Sequence, residues 1–144
     1  MSSVTDKTVL AFDYGERRIG VAKCDPTGTI PSALETIETR SSREALARIE
    51  RLLDKHQPAA LVVGYPLLAS GDRSAKCDSV DRFILRIKTL YSGPVYKVDE
   101  HDSSVEAAAI IHAHGQRIGK DKKRIDRLAA VVILQRFLDG LYER

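Results

Sequence analysis

Four carboxylates stand where strands and helices end: Asp13, Asp99, Glu100 and Asp126. Asp13 closes the apolar run Thr8 to Phe12, Asp99 and Glu100 follow Val95 to Val98, and Asp126 sits near the start of the last helical stretch. Carboxylates brought together repel one another, so such a cluster either binds cations or holds a proton. The matching chemistry is that of phosphodiesters. These are already anionic, and their hydrolysis places further negative charge on the oxygens around phosphorus. Mg²⁺ or Mn²⁺ bridging carboxylates and phosphate offsets that charge and lowers the pKa of a water. Two such ions, about 3.5–4 Å apart, stabilise both the attacking and the leaving oxygen. Taken singly, each residue is ordinary. Asp and Glu are common at caps and solvated ends, and Asp126 has Lys122 and Lys123 nearby to pair with. Convergence is what counts. If the first and fifth strands are central neighbours, Asp13 and Glu100 meet at one edge and Asp126 approaches from the helix above. Neighbouring residues in extended chain face opposite ways. One of Asp99 and Glu100 therefore faces the site while the other caps or supports the loop, and the pattern leaves both assignments open.

Basic residues flank these acids. The run Arg117 to Arg127 holds six basic and two acidic residues and abuts Asp126. Lys122, Lys123 and Arg124 are placed to hold a nucleic-acid backbone while Asp126 holds a metal; a solvated helix start is the plainer alternative. Arg17 and Arg18 follow the Asp13-Tyr14-Gly15 turn, where at least one is expected to grip a phosphate or pair with Glu100. His101 is positioned either to carry a proton to a leaving oxygen or to hydrogen-bond a phosphate, with loop stabilisation as the competing role. The loop Leu67 to Lys76 offers substrate contacts, or a helix cap through Asp72 or Ser74. The four histidines form no zinc pattern, Cys24 and Cys77 have no neighbouring base, and neither a Walker loop nor a dinucleotide fingerprint is present.

These side chains need a sheet to position them. Thr8 to Phe12, Ile19 to Cys24 and Gly28 to Ile37 read as strands in hairpin connection. Ser42 to His56 has helical spacing, with Ser41 or Ser42 as cap and Pro58 beyond the end. Ala59 to Val63 is a strand closed by Gly64 and covered on both faces. A helix through Val80, Phe83 and Ile87 is stopped by Gly93-Pro94, Val95 to Val98 is the next strand, Ser103 or Ser104 opens a helix ended near Gly115, and the last helix runs from about Lys122 to Leu141. Three hairpin strands extended by parallel ones give an α/β fold, a mixed five-stranded sheet with helices on its faces.

The chain has 144 residues, 43% hydrophobic and 30% charged, which excludes bulk disorder and predicts a single domain over residues 1–144. A net charge of +3 is too small to argue for a nucleic-acid partner by itself; placement matters more. Two cysteines exclude a disulfide-rich scaffold. No apolar run approaches the ~20 residues that span a bilayer, and the polar start, Met1 to Lys7, has no signal-peptide core. A soluble cytoplasmic protein without a membrane partner is expected. With no Trp and three Phe, little aromatic surface is offered to bases.

In four ordered blocks the sequence resembles the YqgF/RuvX family of Holliday-junction-resolvase-like proteins. They are Phe12-Asp13-Tyr14-Gly15 through Ala22, Leu61 to Leu67, Val98-Asp99-Glu100-His101, and Lys123 through Ala130. The resemblance runs from about Leu10 to Leu138. It implies a ribonuclease-H-like fold, with the family's acidic positions on Asp13, the Asp99-Glu100 pair and Asp126. Two divalent ions, Mg²⁺ or Mn²⁺, would be held by Asp13, Glu100 and Asp126, with Asp99 in support. It further implies a nuclease that matures the 5′ end of precursor 16S ribosomal RNA. The alternatives are a resolvase cutting four-way DNA junctions as a homodimer, and a non-catalytic nucleic-acid-binding regulator of ribosome or transcription function. Two departures stand out. His101 replaces the family's Arg, exchanging a permanent cation for a titrating one. The stretch Leu68-Ala69-Ser70-Gly71-Asp72 replaces a loop that commonly reads Leu-Asn-Met-Asp-Gly-Thr.

Overall fold

The computed structural model describes residues 7–113 and 122–142. The first part of the basic run, with Arg117 and Lys120, and the expected helix end at Gly115 lie outside the described residues. In chain order the elements are β1 (Val9–Tyr14), β2 (Arg18–Cys24), β3 (Pro31–Glu38), α1 (Ser42–His56), β4 (Ala60–Tyr65), α2 (Cys77–Lys88), β5 (Val95–Asp99), α3 (Ser103–Ala113) and α4 (Lys122–Leu138). The strands form one sheet in the order β3-β2-β1-β4-β5. The hairpin strands β1, β2 and β3 pair antiparallel, whereas β4 runs parallel to both β1 and β5. The expected mixed five-stranded sheet is therefore present, with one correction to its order. The first and fifth strands are not neighbours, because β4 lies between them.

Alternation along the strands explains the two-sided core. Leu10 and Phe12 of β1, with Leu61 and Val63 of β4, pack under α1 and α2 against Ile49, Leu52, Phe83 and Ile87. Their neighbours Val9, Ala11, Ala60 and Val62 face the other way and pack under α4 against Ala130, Ile133 and Leu134. Every residue of β4 is buried, as its unbroken apolar run predicts. Gly64 does not close β4, however, since the strand continues through it to Tyr65.

Helix boundaries follow local chemistry. The Ser41 hydroxyl accepts the Glu44 N–H at 3.2 Å and caps α1, whose end is a left-handed Gln57. Neither Asp72 nor Ser74 caps α2; its cap position is Lys76, with no side-chain hydrogen bond. The helix also ends at Lys88, before Gly93-Pro94 is reached, where the Thr89 hydroxyl donates to the Arg86 carbonyl at 2.6 Å. Similarly, α4 ends at Leu138 rather than Leu141, at a turn through left-handed Gly140. Among the described residues, no helix is long and apolar enough to cross a membrane.

Small residues let α4 lie close on the sheet. A Cβ on Gly20 would fall 1.9 Å from the Asp126 carbonyl oxygen. Gly20 is the register partner of Asp13 across β1 and β2. The glycine that admits the first turns of α4 thus also brings Asp126 beside the end of β1.

Candidate active site

The parallel strands β1, β4 and β5 all finish at one edge of the sheet, where open α/β sheets usually place their ligands. Asp13 is at the end of β1, Tyr65 at the end of β4, and Glu100 directly follows β5. The Glu100 N–H continues the ladder by donating to the Tyr65 carbonyl at 3.1 Å. Its side chain then crosses the backbone of Gly64, where a Cβ would lie 2.7 Å from Glu100 Oε2 and 3.1 Å from its Cβ. On the far side it hydrogen-bonds Asp13. The two acids reach each other because the strand between them lacks a side chain at that point.

Their environment favours a shared proton. Burial raises the Asp13 carboxyl above the usual range and Asp126 adds to the rise, against the opposing hydrogen bond from Glu100 and the charge of Lys76. Glu100 is pushed up to about 9, chiefly by burial, then by its hydrogen bond to Asp13 and by the Asp13 charge. A protonated Glu100 donating to an ionised Asp13 satisfies both directions.

Asp126 stands at the same cleft but is turned toward Arg18, whose Nε donates to Asp126 Oδ2 at 2.5 Å. Asp126 therefore pairs with neither Lys122 nor Lys123, and Arg18 pairs with Asp126 rather than Glu100. Lys123 instead reaches Glu38 at 2.9 Å. The cleft measures about 670 Å³, and its walls include Asp13, Glu100, Asp126, Arg17, Lys76 and His101. Lys76 is exposed, makes no ion pair within 4 Å among the described residues, and acts by its charge on both Asp13 and Glu100.

Asp99 and His101 settle as a local pair. Asp99 is exposed, and its Oδ1 accepts the His101 N–H at 2.9 Å. Its carbonyl accepts from Arg136 at 2.8 Å, and Arg136 also reaches Glu106 at 2.7 Å. Of the two neighbouring acids, Glu100 faces the cleft and Asp99 holds the loop. The His101 ring stays at the cleft, with Nε2 3.2 Å from Asp102 Oδ2. Lys122 lines an adjacent cleft, while Arg124 lines neither. The loop after β4 is anchored by Arg73, which bonds the Tyr65 hydroxyl, Asp78 at 2.7 Å and Asp81 at 3.1 Å. Among the loop residues, Pro66, Leu67 and Lys76 reach the cleft wall.

Two residues here were not singled out by the sequence reading. Gly64 looked like a strand terminator and Lys76 like the end of a loop. A glycine inside an otherwise fully apolar strand is a sign of close approach.

Among the described residues, no three His, Cys, Asp or Glu side chains stand together as a metal-holding group. The chemistry of the donors nevertheless fits a hard divalent cation: Asp13, Glu100 and Asp126 offer oxygen only. Burial raises both the Asp13 and the Glu100 carboxyl, which is the cost of holding two anions side by side with no cation between them.

The family model described as "RuvX: Holliday junction resolvase" matches residues 7–140. A protein of Syntrophus aciditrophicus carrying the name "Putative pre-16S rRNA nuclease" is 38% identical over 133 residues, covering 92% of this chain and 89% of that one. Among solved structures, RuvC of T. thermophilus in complex with a Holliday junction substrate aligns over 93% of this chain and 94% of its own, with a TM-score of 0.55 and 15% identity. The Fowlpox virus resolvase, solved with Holliday junction DNA, aligns over 93% and 98%, with a TM-score of 0.60 and 12% identity. The fold is thus the ribonuclease-H-like one.

Proposed function

The chain belongs to the RuvX family, and from that membership we propose a divalent-metal-dependent nuclease. It hydrolyses phosphodiester bonds in structured RNA, with the 5′ end of precursor 16S ribosomal RNA as its substrate in the cytoplasm. The observation that carries this reading is the hydrogen-bonded Asp13–Glu100 pair, set in a cleft that Asp126 also lines. Relatives such as that of Syntrophus aciditrophicus carry the corresponding name.

Each group has a task in this reading. Asp13, Glu100 and Asp126 are the residues that would hold Mg²⁺ or Mn²⁺. The ions, when bound, supply charge neutralisation at phosphorus and a more acidic water. Asp13 and Glu100 would face the ion as carboxylates, with any proton between them released to bulk water. Asp126 would turn from its bond to Arg18 to join them. The freed Arg18, with Arg17 and Lys76, faces the anionic oxygens of the substrate. His101 at the mouth donates to the leaving oxygen, and Asp99 supports it through the His101 N–H. Lys122, Lys123 and Arg124 take backbone phosphates on the side of α4.

The test is cleavage of a precursor RNA in Mg²⁺ or Mn²⁺, comparing wild type with Asp13→Asn. Loss of cleavage with an unchanged circular-dichroism spectrum is expected. Equal cleavage by the variant would remove Asp13 from the chemistry. The family model's description favours a second reading, a dimeric resolvase of four-way DNA junctions. Paired symmetric cuts in such a junction, with the RNA left intact, would select it. Binding without turnover would select the non-catalytic regulator.

A further inference from the structure

A second cleft, of about 490 Å³, adjoins the carboxylate cleft and shares Glu16, Arg17 and Arg18 with it. Arg40 from the turn after β3, and Lys122 and Lys123 from the first turn of α4, complete its charge. Five cationic side chains thus face two carboxylates. One of those carboxylates, Glu38, is already engaged by Lys123 at 2.9 Å and Arg40 at 3.1 Å. The rim is held by backbone: the Thr39 N–H donates to the Arg17 carbonyl at 2.9 Å, and the Thr39 hydroxyl donates to the Glu16 carbonyl. The first turn of α4 carries no acid, so the positive end of the helix and its lysines act in the same sense. No aromatic side chain lines this cleft, so it offers bases nothing to stack on.

We propose that the second cleft holds backbone phosphates of the strand being cut, beyond the scissile phosphate, gripping it by charge and without reading its sequence. The inference rests on the nuclease reading and adds to it a subsite with Arg40, which no motif marks. Arg17 and Arg18, the shared wall, make the two clefts one path for a single strand. Such a grip has a defined signature. Each phosphate neutralised contributes about 0.7 to the slope of log affinity against log salt for a single strand.

The experiment measures binding of fluorescently labelled single-stranded RNAs of different sequence in EDTA, across a salt series, by anisotropy. The double variant Arg40→Gln, Lys122→Gln is expected to flatten the slope by about 1.4, two phosphates' worth, equally for all sequences. The charge-keeping pair Arg40→Lys, Lys122→Arg should restore the slope. Both positions are exposed, so an unchanged thermal midpoint is the folding control. A wild-type slope in the glutamine variant overturns the proposal, as does a loss confined to one sequence. Inorganic phosphate that displaces the RNA at concentrations far below those of the salt would assign the cleft to a free anion and also overturn it. Cleavage of a structured precursor RNA in Mn²⁺, without EDTA, is scored on the same protein preparations. The expected slope change with the precursor RNA never cut would end the nuclease reading and leave the groove. RNA cut with an unchanged slope would do the reverse.

Discussion

Glu100 hydrogen-bonds Asp13 across an intervening strand, passing over Gly64. A methyl group at position 64 would lie 2.5 Å from Ile133 Cδ1 and 3.1 Å from Glu100 Cβ. The Ile133 terminus can move, but the Glu100 Cβ moves only with its backbone. Gly64→Ala is expected to cost about 1–3 kcal/mol in stability, as overpacking usually does. At a temperature where the variant is fully folded, it should still cut far more slowly than wild type. Thermal denaturation and cleavage rates on one preparation check this, and normal cleavage would show that Glu100 needs no gap.

The Asp13–Glu100 pair makes stability fall with pH. Glu100 titrates at about 9 when folded, against an ordinary 4.5, so the folded state binds more protons than the unfolded one between those values. Its stabilising contribution is full below about 4.5 and is lost as pH rises toward about 9. Glu100→Gln should flatten that decline and raise the midpoint most at the alkaline end. Mn²⁺, by replacing the proton, should raise the wild-type midpoint more at alkaline than at acid pH. Denaturation midpoints across a pH series, with and without Mn²⁺, measure both effects.

On the metal-dependent reading, Arg18 and Mn²⁺ would compete for Asp126. The side chains of this ion pair are 26% and 22% exposed, so releasing Asp126 is worth about 1 kcal/mol, the upper end for solvent-accessible pairs. Arg18→Gln is expected to tighten Mn²⁺ binding about fivefold while weakening RNA binding. Isothermal titration with each ligand separates the two, and weaker Mn²⁺ binding would show that Arg18 orients Asp126 for the ion.

Lys76 brings positive charge to both half-buried acids without closing an ion pair. Removing it as Lys76→Gln should slow cleavage about tenfold, equivalent to ~1.4 kcal/mol of transition-state stabilisation. The thermal midpoint should change little, because the side chain is exposed. Lys76→Arg should recover most of the rate. A rate insensitive to the charge would place Lys76 outside the chemistry.

Much of this arrangement can be read from residue order. The span of α1 follows from Ser41, the helical stripe and Pro58, and the apolar run of β4 announces a strand buried on both faces. Strand order is another matter. Periodicity says which side a residue faces but not which strand lies alongside, so nothing local places β4 between Asp13 and Glu100. Pairing among charges is similarly hidden. Lys122 and Lys123 are near Asp126 in sequence, yet Arg18, 108 residues away, takes it, because Gly20 lets α4 settle onto β2. The choice between Asp99 and Glu100 is hidden in the same way: both are acids at a strand end, and the continued ladder bond to Tyr65 goes with the one that turns inward.

Because β1 and β5 flank β4, the gauge of the paired acids is set by two inter-strand spacings, roughly 9–10 Å in all. Loops can drift, lengthen or change composition and alter how firmly a substrate is grasped. The separation that the two acids must span is built into the hydrogen-bonded backbone itself. A glutamate on the outer strand has the reach for that span, and an aspartate there, one methylene shorter, would leave its partner across the gap unmet.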